Sequence, residues 1–168
     1  MPQPTTDDPV TLLAVLDRGF NRASWHGVNL RGSLRRVAAS DAAWRPHPTR
    51  HNVWETAVHC AYWKYAVWRQ LTGAKRGSFP LTGSNWFVRP VRGQETDRAW
   101  REDLALLDRM HADLREAVAE LTARALGRRP SGSKHTTLDL VSGVAAHDIY
   151  HAGQIQLLKA LRRAGAVG

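Results

Sequence analysis

The chain has 168 residues, 43% of them hydrophobic, with seven Trp and a formal charge of +9. That length suits a single domain over residues 1–168 with a core that needs no disulfide staple, and the composition excludes a disordered chain. No apolar run reaches membrane-spanning length, and the N-terminus lacks the cationic start and apolar stretch of a secretory signal. The single Cys60 excludes an internal disulfide and fits a reducing cytoplasm. Basic residues are dispersed from Arg18 to Arg163 in short clusters such as Arg35-Arg36 and Arg162-Arg163. This reads as a solvated surface that attracts anionic ligands, not as a nucleic-acid stripe.

In chain order, Asp8-Pro9 reads as an N-cap with proline at the first helical position, opening an amphipathic helix through Leu12, Leu16 and Phe20. The pattern breaks at Ser24-Trp25-His26-Gly27 and resumes through Leu30, Leu34 and Val37, as one broken helix or two consecutive ones. Pro46 and Pro48 close that unit. Asn52 and Glu55 form a capping box that opens a helix carrying Trp54, Val58, Tyr62, Trp63, Tyr65 and Trp68, apolar nearly all round and therefore central. Gly73 stops it.

Residues 74–95 are rich in Gly, Pro and Ser without helical period, the signature of a lid or a crossover. A third helix starts at Thr96 and carries Trp100, Leu104, Leu107, Leu114, Val118 and Leu121; Gly127–Ser133 breaks the chain, and Thr136 or Thr137 caps a last helix running to about Arg163. Four long helical units without a strand predict an all-α, four-helix bundle with a long crossover connection.

The chemistry-bearing stretch lies in the last helix: His147-Asp148-Ile149-Tyr150-His151. Residues at i and i+4 are neighbours on a helix, so both imidazoles can reach one divalent ion. Leu140, Val144, His147, His151, Ile155 and Leu158 recur at three- and four-residue steps, which places both histidines on the stripe facing the bundle. A lone histidine there is ordinarily a hydrogen-bonded core group. Two on one apolar seam each need a partner, and a shared metal meets both needs.

A catalytic metal site needs three protein ligands and an open position. The zincin pattern takes a further ligand downstream, yet the residues after His151 contain no Asp, Glu, His or Cys, which argues against metalloprotease chemistry. The third ligand therefore lies upstream. His47 and His51 flank Pro48, His26 sits in the helix break and His135 precedes a cap, whereas His59 sits deep in the aromatic helix. His111 falls on the seam of the third helix beside Met110, and Glu55 could offer a carboxylate although its cap already accounts for it. Asp148 reads equally as an orienter of a ligand or as an ordinary polar residue, and Cys60 as a buried, inert thiol.

Trp25-His26-Gly27, then Asn52-Val53-Trp54-Glu55 leading to His59, then Ala146-His147-Asp148 through Tyr150-His151-Ala152-Gly153-Gln154-Ile155, together resemble the DinB/YfiT-like superfamily of metal-binding four-helix bundles. The resemblance implies one divalent ion held by His59, His147 and His151; imidazole ligands accept Zn or Ni foremost, with Fe or Mn as alternatives, and the sequence does not name the metal. The resemblance further implies a small-molecule substrate and a low-molecular-weight thiol such as bacillithiol, mycothiol or glutathione, as in related transferases and isomerases. The expected function is a metal-dependent, thiol-dependent transferase or hydrolase of stress or detoxification, with Trp25, Trp63, Trp86 and Tyr150 as candidate pocket residues and His26 as a candidate acid or base. The alternative is a non-catalytic DNA-damage response module whose metal is structural. A homodimer through exposed helical faces fits either.

Overall fold

In the computed structural model, which describes residues 9–91 and 93–165, seven helices follow one another and no β-strand occurs among the described residues. Four are long: α1 (Pro9–Phe20), α4 (Val53–Thr72), α5 (Asp97–Ala119) and α7 (Thr137–Gly165). Three are single turns: α2 (Leu30–Ser33), α3 (Ala39–Ala43) and α6 (Ala123–Leu126). The region after the Trp25-His26 break is thus two short helices, because Arg36 turns into the left-handed region at φ 57° and interrupts them. The Asp8 cap lies outside the described residues. α6 has no counterpart in the sequence reading, since a four-residue helix carries too little periodicity to register.

The remaining boundaries follow from their caps. The Asn52 side chain accepts from the Glu55 backbone N–H while the Glu55 carboxylate accepts from that of Asn52, and α4 ends at Gly73 with φ 71°. Thr96 accepts from Ala99 N–H at the start of α5. Thr136 and Asp139 exchange backbone-to-side-chain bonds at the start of α7. Each arrangement satisfies N–H groups that the first turn leaves without a partner.

α4 packs on α5 and α7, and α1 on the other flanks of α5 and α7. Where α1 crosses α7, a Cβ on Gly19 would lie 2.9 Å from the Ala145 carbonyl oxygen, so glycine alone permits that approach. Near their starts α4 and α5 share the Trp54 and Trp100 rings, 5.1 Å apart, and Trp54 Nε1 donates to Asp103 at 2.6 Å. The two helices therefore run parallel, and segment 74–96 must return along the whole of α4, about 30 Å for its length. It does so as a packed strap. Phe79 meets Tyr65, Phe87 meets Tyr62, Asn85 reaches His59 and Trp63, and Arg89 makes a two-pronged ion pair with Asp103.

α4 and α7 run antiparallel: His59 faces His151 and His147, and Lys64 faces Asp148. The buried face of α7 is Val141, Val144, Ala145, Asp148, His151, Ala152 and Ile155. That corrects the stripe expected from sequence, on which Leu140, His147 and Leu158 turn out half-buried at its edge. The physical reason is Asp148, which periodicity excludes from a core but which Lys64 neutralises there.

Candidate metal centre

α4 supplies His59 and α7 supplies His147 and His151, one turn apart. His59 Nε2 and His147 Nε2 lie 3.0 Å apart, as do His151 Nε2 and His147 Nε2. His59, His147 and His151 form a group whose ligand atoms all fall within 4.8 Å of one another and which could hold a metal ion.

Hydrogen bonds behind the rings orient them. His59 Nδ1 donates to the Asn85 carbonyl at 2.8 Å, so its proton sits on Nδ1 and its Nε2 lone pair faces the centre. His151 Nδ1 donates to Gln154 Oε1 at 2.7 Å, while the Gln154 amide donates to the Tyr150 hydroxyl, and the same logic follows. Two lone pairs thus aim at His147 Nε2, which carries at most one proton and can satisfy one of them. A cation satisfies all three nitrogens at once. With M–N bonds of about 2.0–2.1 Å a tetrahedral site has ligand atoms about 3.3 Å apart, so the observed spacing fits with little adjustment.

The imidazoles are neutral for a clear cause. Burial pushes His59 down to about 4 against the Asn85 hydrogen bond, with the His151 and His51 charges adding to the effect. Burial pushes His147 down to about 3, helped by His151, His59 and Lys64, and lowers His151 against Gln154. Neutral imidazole is the form that binds metal.

An aromatic layer covers one side. Trp86 lies flat on His59 at 3.8 Å and on His51 at 3.6 Å, a three-ring stack, while His51 Nδ1 lies 3.2 Å from Glu55. Asn85, whose backbone is left-handed at φ 65°, turns its carbonyl to His59 and its side chain to Trp63 Nε1. Asparagine tolerates that conformation better than most residues. On another side a cleft of about 350 Å³, lined by Trp63, Val67, Leu140, Gly143 and Val144, reaches His147; Gln70, His135 and Asp139 give it polar edges. A larger cavity elsewhere does not touch the imidazoles, and the donor chemistry assigns this centre to the smaller cleft.

The other candidates separate from the centre. His111 stacks on Phe20 at 3.7 Å, with Asp17 3.5 Å from its Nε2, and belongs to the α1–α5 contact. Trp25 is fully exposed and His26 exposed, and neither contacts the three rings, because the Ser24–Gly27 turn holds them outward. Glu55 is committed to Arg45 in a two-pronged pair; burial raises its carboxyl, but Arg45, His51 and the Arg89 N–H together hold it below the ordinary value. Tyr150 is exposed but touches the centre through Gln154, and Trp63 and Trp86 adjoin it. Asp148 makes no hydrogen bond to a histidine: it pairs with Lys64, both fully buried. Burial raises its carboxyl to about 6 against the Lys64 charge. Cys60, buried and with its thiol pushed well up by burial, brings its sulfur within 4.8 Å of ligand atoms of His147 and Asp148.

Sequence reasoning missed Asn85 and Lys64, and it set His51 aside as a ligand without seeing that it stacks beside the centre. Lys64 had a signal, a cation on a helix otherwise apolar all round; Asn85 comes from a strap without periodicity, and His51 joins the centre only through the Trp86 ring of that strap.

No curated protein and no solved structure matches the chain. No helix among the described residues is long and apolar enough to cross a membrane. The sequence model of the DinB superfamily matches residues 22–155, more than half the chain and inclusive of His59, His147 and His151, and the chain belongs to that superfamily.

Proposed function

We propose that the protein is a divalent-metal-dependent transferase or hydrolase acting on small electrophiles, with a low-molecular-weight thiol as co-substrate, in the cytoplasm. The observation that carries this reading is the convergence of three neutral imidazoles, with Nε2 atoms of His59 and His151 each 3.0 Å from that of His147, beside an apolar cleft. His59, His147 and His151 are the ligands in this reading, and the helices around them form a four-helix bundle with its crossover strapped along α4. Three protein ligands leave a position for thiol or water. Zn or Ni suits this imidazole set, with Fe or Mn as alternatives, and such a cation would supply a Lewis acid that makes a bound thiol or water nucleophilic near neutral pH.

The chain's own residues do the positioning. Asn85 and Gln154 fix the tautomers of His59 and His151, and Trp86 shields the first of these rings from water. Trp63, Val67, Leu140 and Val144 would bind the apolar body of the electrophile, leaving its reactive carbon toward His147. In the transfer a C–S bond forms from the thiol sulfur, the leaving group departs with its electron pair, and the thiol proton passes to solvent. Homodimerisation belongs to the same reading, since α7 leaves Tyr150, Leu157 and Leu161 exposed.

Elemental analysis of untagged protein tests the centre: about one ion per chain is expected, lost in His147→Ala, and unchanged metal content in that variant would refute the ligand set. Mixing the metal-loaded protein with bacillithiol, mycothiol or glutathione and a nitroaryl chloride tests the reaction. Metal-loaded protein that forms no thioether with any of the three, and hydrolyses no small ester, would leave the metal a structural role.

A further inference from the structure

We propose that the cavity between the C-terminal half of α7 and residues 35–44 is a second binding site, for a small phosphate-bearing molecule with a flat ring. Its volume, about 710 Å³, is that of a small-molecule pocket. It starts at Leu158, seven residues beyond His151 and about 10 Å along the helix, and shares no lining residue with the cleft at the metal centre.

The lining divides in two. Val37, Val53, Leu158 and the half-buried Trp44 make an apolar floor. Arg35, Arg36, Lys159, Arg162 and Arg163 make the walls, against the single carboxylate of Asp41. That carboxylate is taken by Arg162, whose guanidinium also lies 5.9 Å from the Trp44 ring centre. Lys159 Nζ donates to the Ser33 carbonyl at 2.7 Å. Arg35, Arg36 and Arg163 are left without any side-chain acceptor among the described residues.

Cations near the end of α7 have an ordinary explanation, attraction to the negative end of the helix dipole. Arg35 and Arg36 have none, since they come from a separate segment and face the first set across the cavity. Arg36 does so from a backbone at φ 57°, a conformation that L side chains avoid. The like charges repel: Lys159 is lowered by burial and then by Arg163. A phosphate relieves that repulsion, and guanidinium forks match its oxygens two at a time. The floor selects the rest of the ligand, because a flat ring can lie along Trp44 where a hydrated inorganic ion gains nothing.

Isothermal titration calorimetry on the full chain with adenosine monophosphate, phenyl phosphate, adenosine and inorganic phosphate tests the proposal. At least one ring phosphate is expected to bind with a Kd below about 1 mM and roughly tenfold more tightly than inorganic phosphate or adenosine. Binding of the nucleotide alone identifies a nucleobase; binding of both identifies any small aromatic phosphate. Arg35→Ala with Arg163→Ala, both exposed and partnerless, should weaken binding about tenfold or more, and Trp44→Leu several-fold, with metal content and helicity unchanged. The proposal is overturned if neither ring phosphate binds at millimolar concentration, if inorganic phosphate binds equally well, or if the arginine variants bind as the parent does.

Discussion

Lys64→Met leaves the Asp148 carboxylate buried with no counter-ion, and the size of the loss can be worked out. Both side chains of the pair are fully buried, and Asp148 Oδ1 already lacks a hydrogen-bond partner. Without Lys64 the carboxyl escapes by taking a proton, so the penalty at pH 7 is bounded by the cost of protonating an Asp there: about three pH units at 1.36 kcal/mol each, roughly 4 kcal/mol. This agrees with the roughly 3–5 kcal/mol lost when one member of a buried pair is removed, and for a chain of this size it lowers Tm by about 6–20 °C. The sign against pH is fixed. Burial already holds the Asp148 carboxyl above its ordinary range, and removing Lys64 raises it further, so the variant's stability is best below the unfolded carboxyl's pKa and falls as pH rises. The parent's own carboxyl, at about 6, also takes up its proton over this range, so the deficit against the parent should shrink by about 1–1.5 kcal/mol between pH 7 and pH 5. Urea unfolding followed by circular dichroism at the two pH values measures both quantities. A loss under about 1 kcal/mol at pH 7, or one that grows on acidification, would refute the burial argument.

Lys64→Met combined with Asp148→Leu removes both charges and should regain most of the stability, as apolar replacements of buried pairs often do; additive losses in urea would contradict this. Gln154→Leu deprives His151 Nδ1 of its acceptor and should weaken metal binding about 10–100-fold in chelator competition, with melting of the metal-free protein little changed; unaltered affinity would mean that Gln154 does not orient the ring. For metal-free protein, His59 and His147 titrate below the ordinary histidine value. The unfolded chain then binds more protons than the native one between about pH 6.5 and pH 3–4, so stability is complete above about pH 6.5 and falls as pH drops through that window. A Tm flat from pH 7 to pH 5 would show that these rings are not held neutral by burial.

The long helices and their caps were legible because the signals are local. Asn52 with Glu55, Thr96, Gly73 and Thr136 each mark a boundary within one turn, and the i, i+4 spacing of His147 and His151 places two rings side by side. That His59 joins them is a long-range fact, 88 residues away in sequence, and geometry on one helix could not select it over His111. The strap was legible as a long connection but not as the source of the Asn85 carbonyl or of the Trp86 stack, since those depend on a left-handed backbone at one residue. Polarity misled at Asp148. A carboxylate beside two histidines reads as their helper, and only the position of Lys64 on the opposing helix shows where its charge is spent.

That ion pair also bears on why the three rings meet. Along the antiparallel contact, His59 opposes His151, Lys64 opposes Asp148, and Val67 shares the cleft with Val144. Beyond the ion pair that contact shares apolar residues, Val67 on α4 and Leu140 and Val144 on α7, and such surfaces tolerate sliding because their burial scarcely depends on register. Slipping α7 by one turn moves it about 5.4 Å, more than the 3.0 Å between neighbouring ring nitrogens, and sets Asp148 against apolar side chains while Lys64 loses its counter-ion. Two buried, unpaired charges make that slipped register far costlier than the native one. Leucines at the two positions would stabilise both registers alike, so the pair contributes less to net stability than to excluding the alignment in which His59 and the α7 histidines cannot reach one ion.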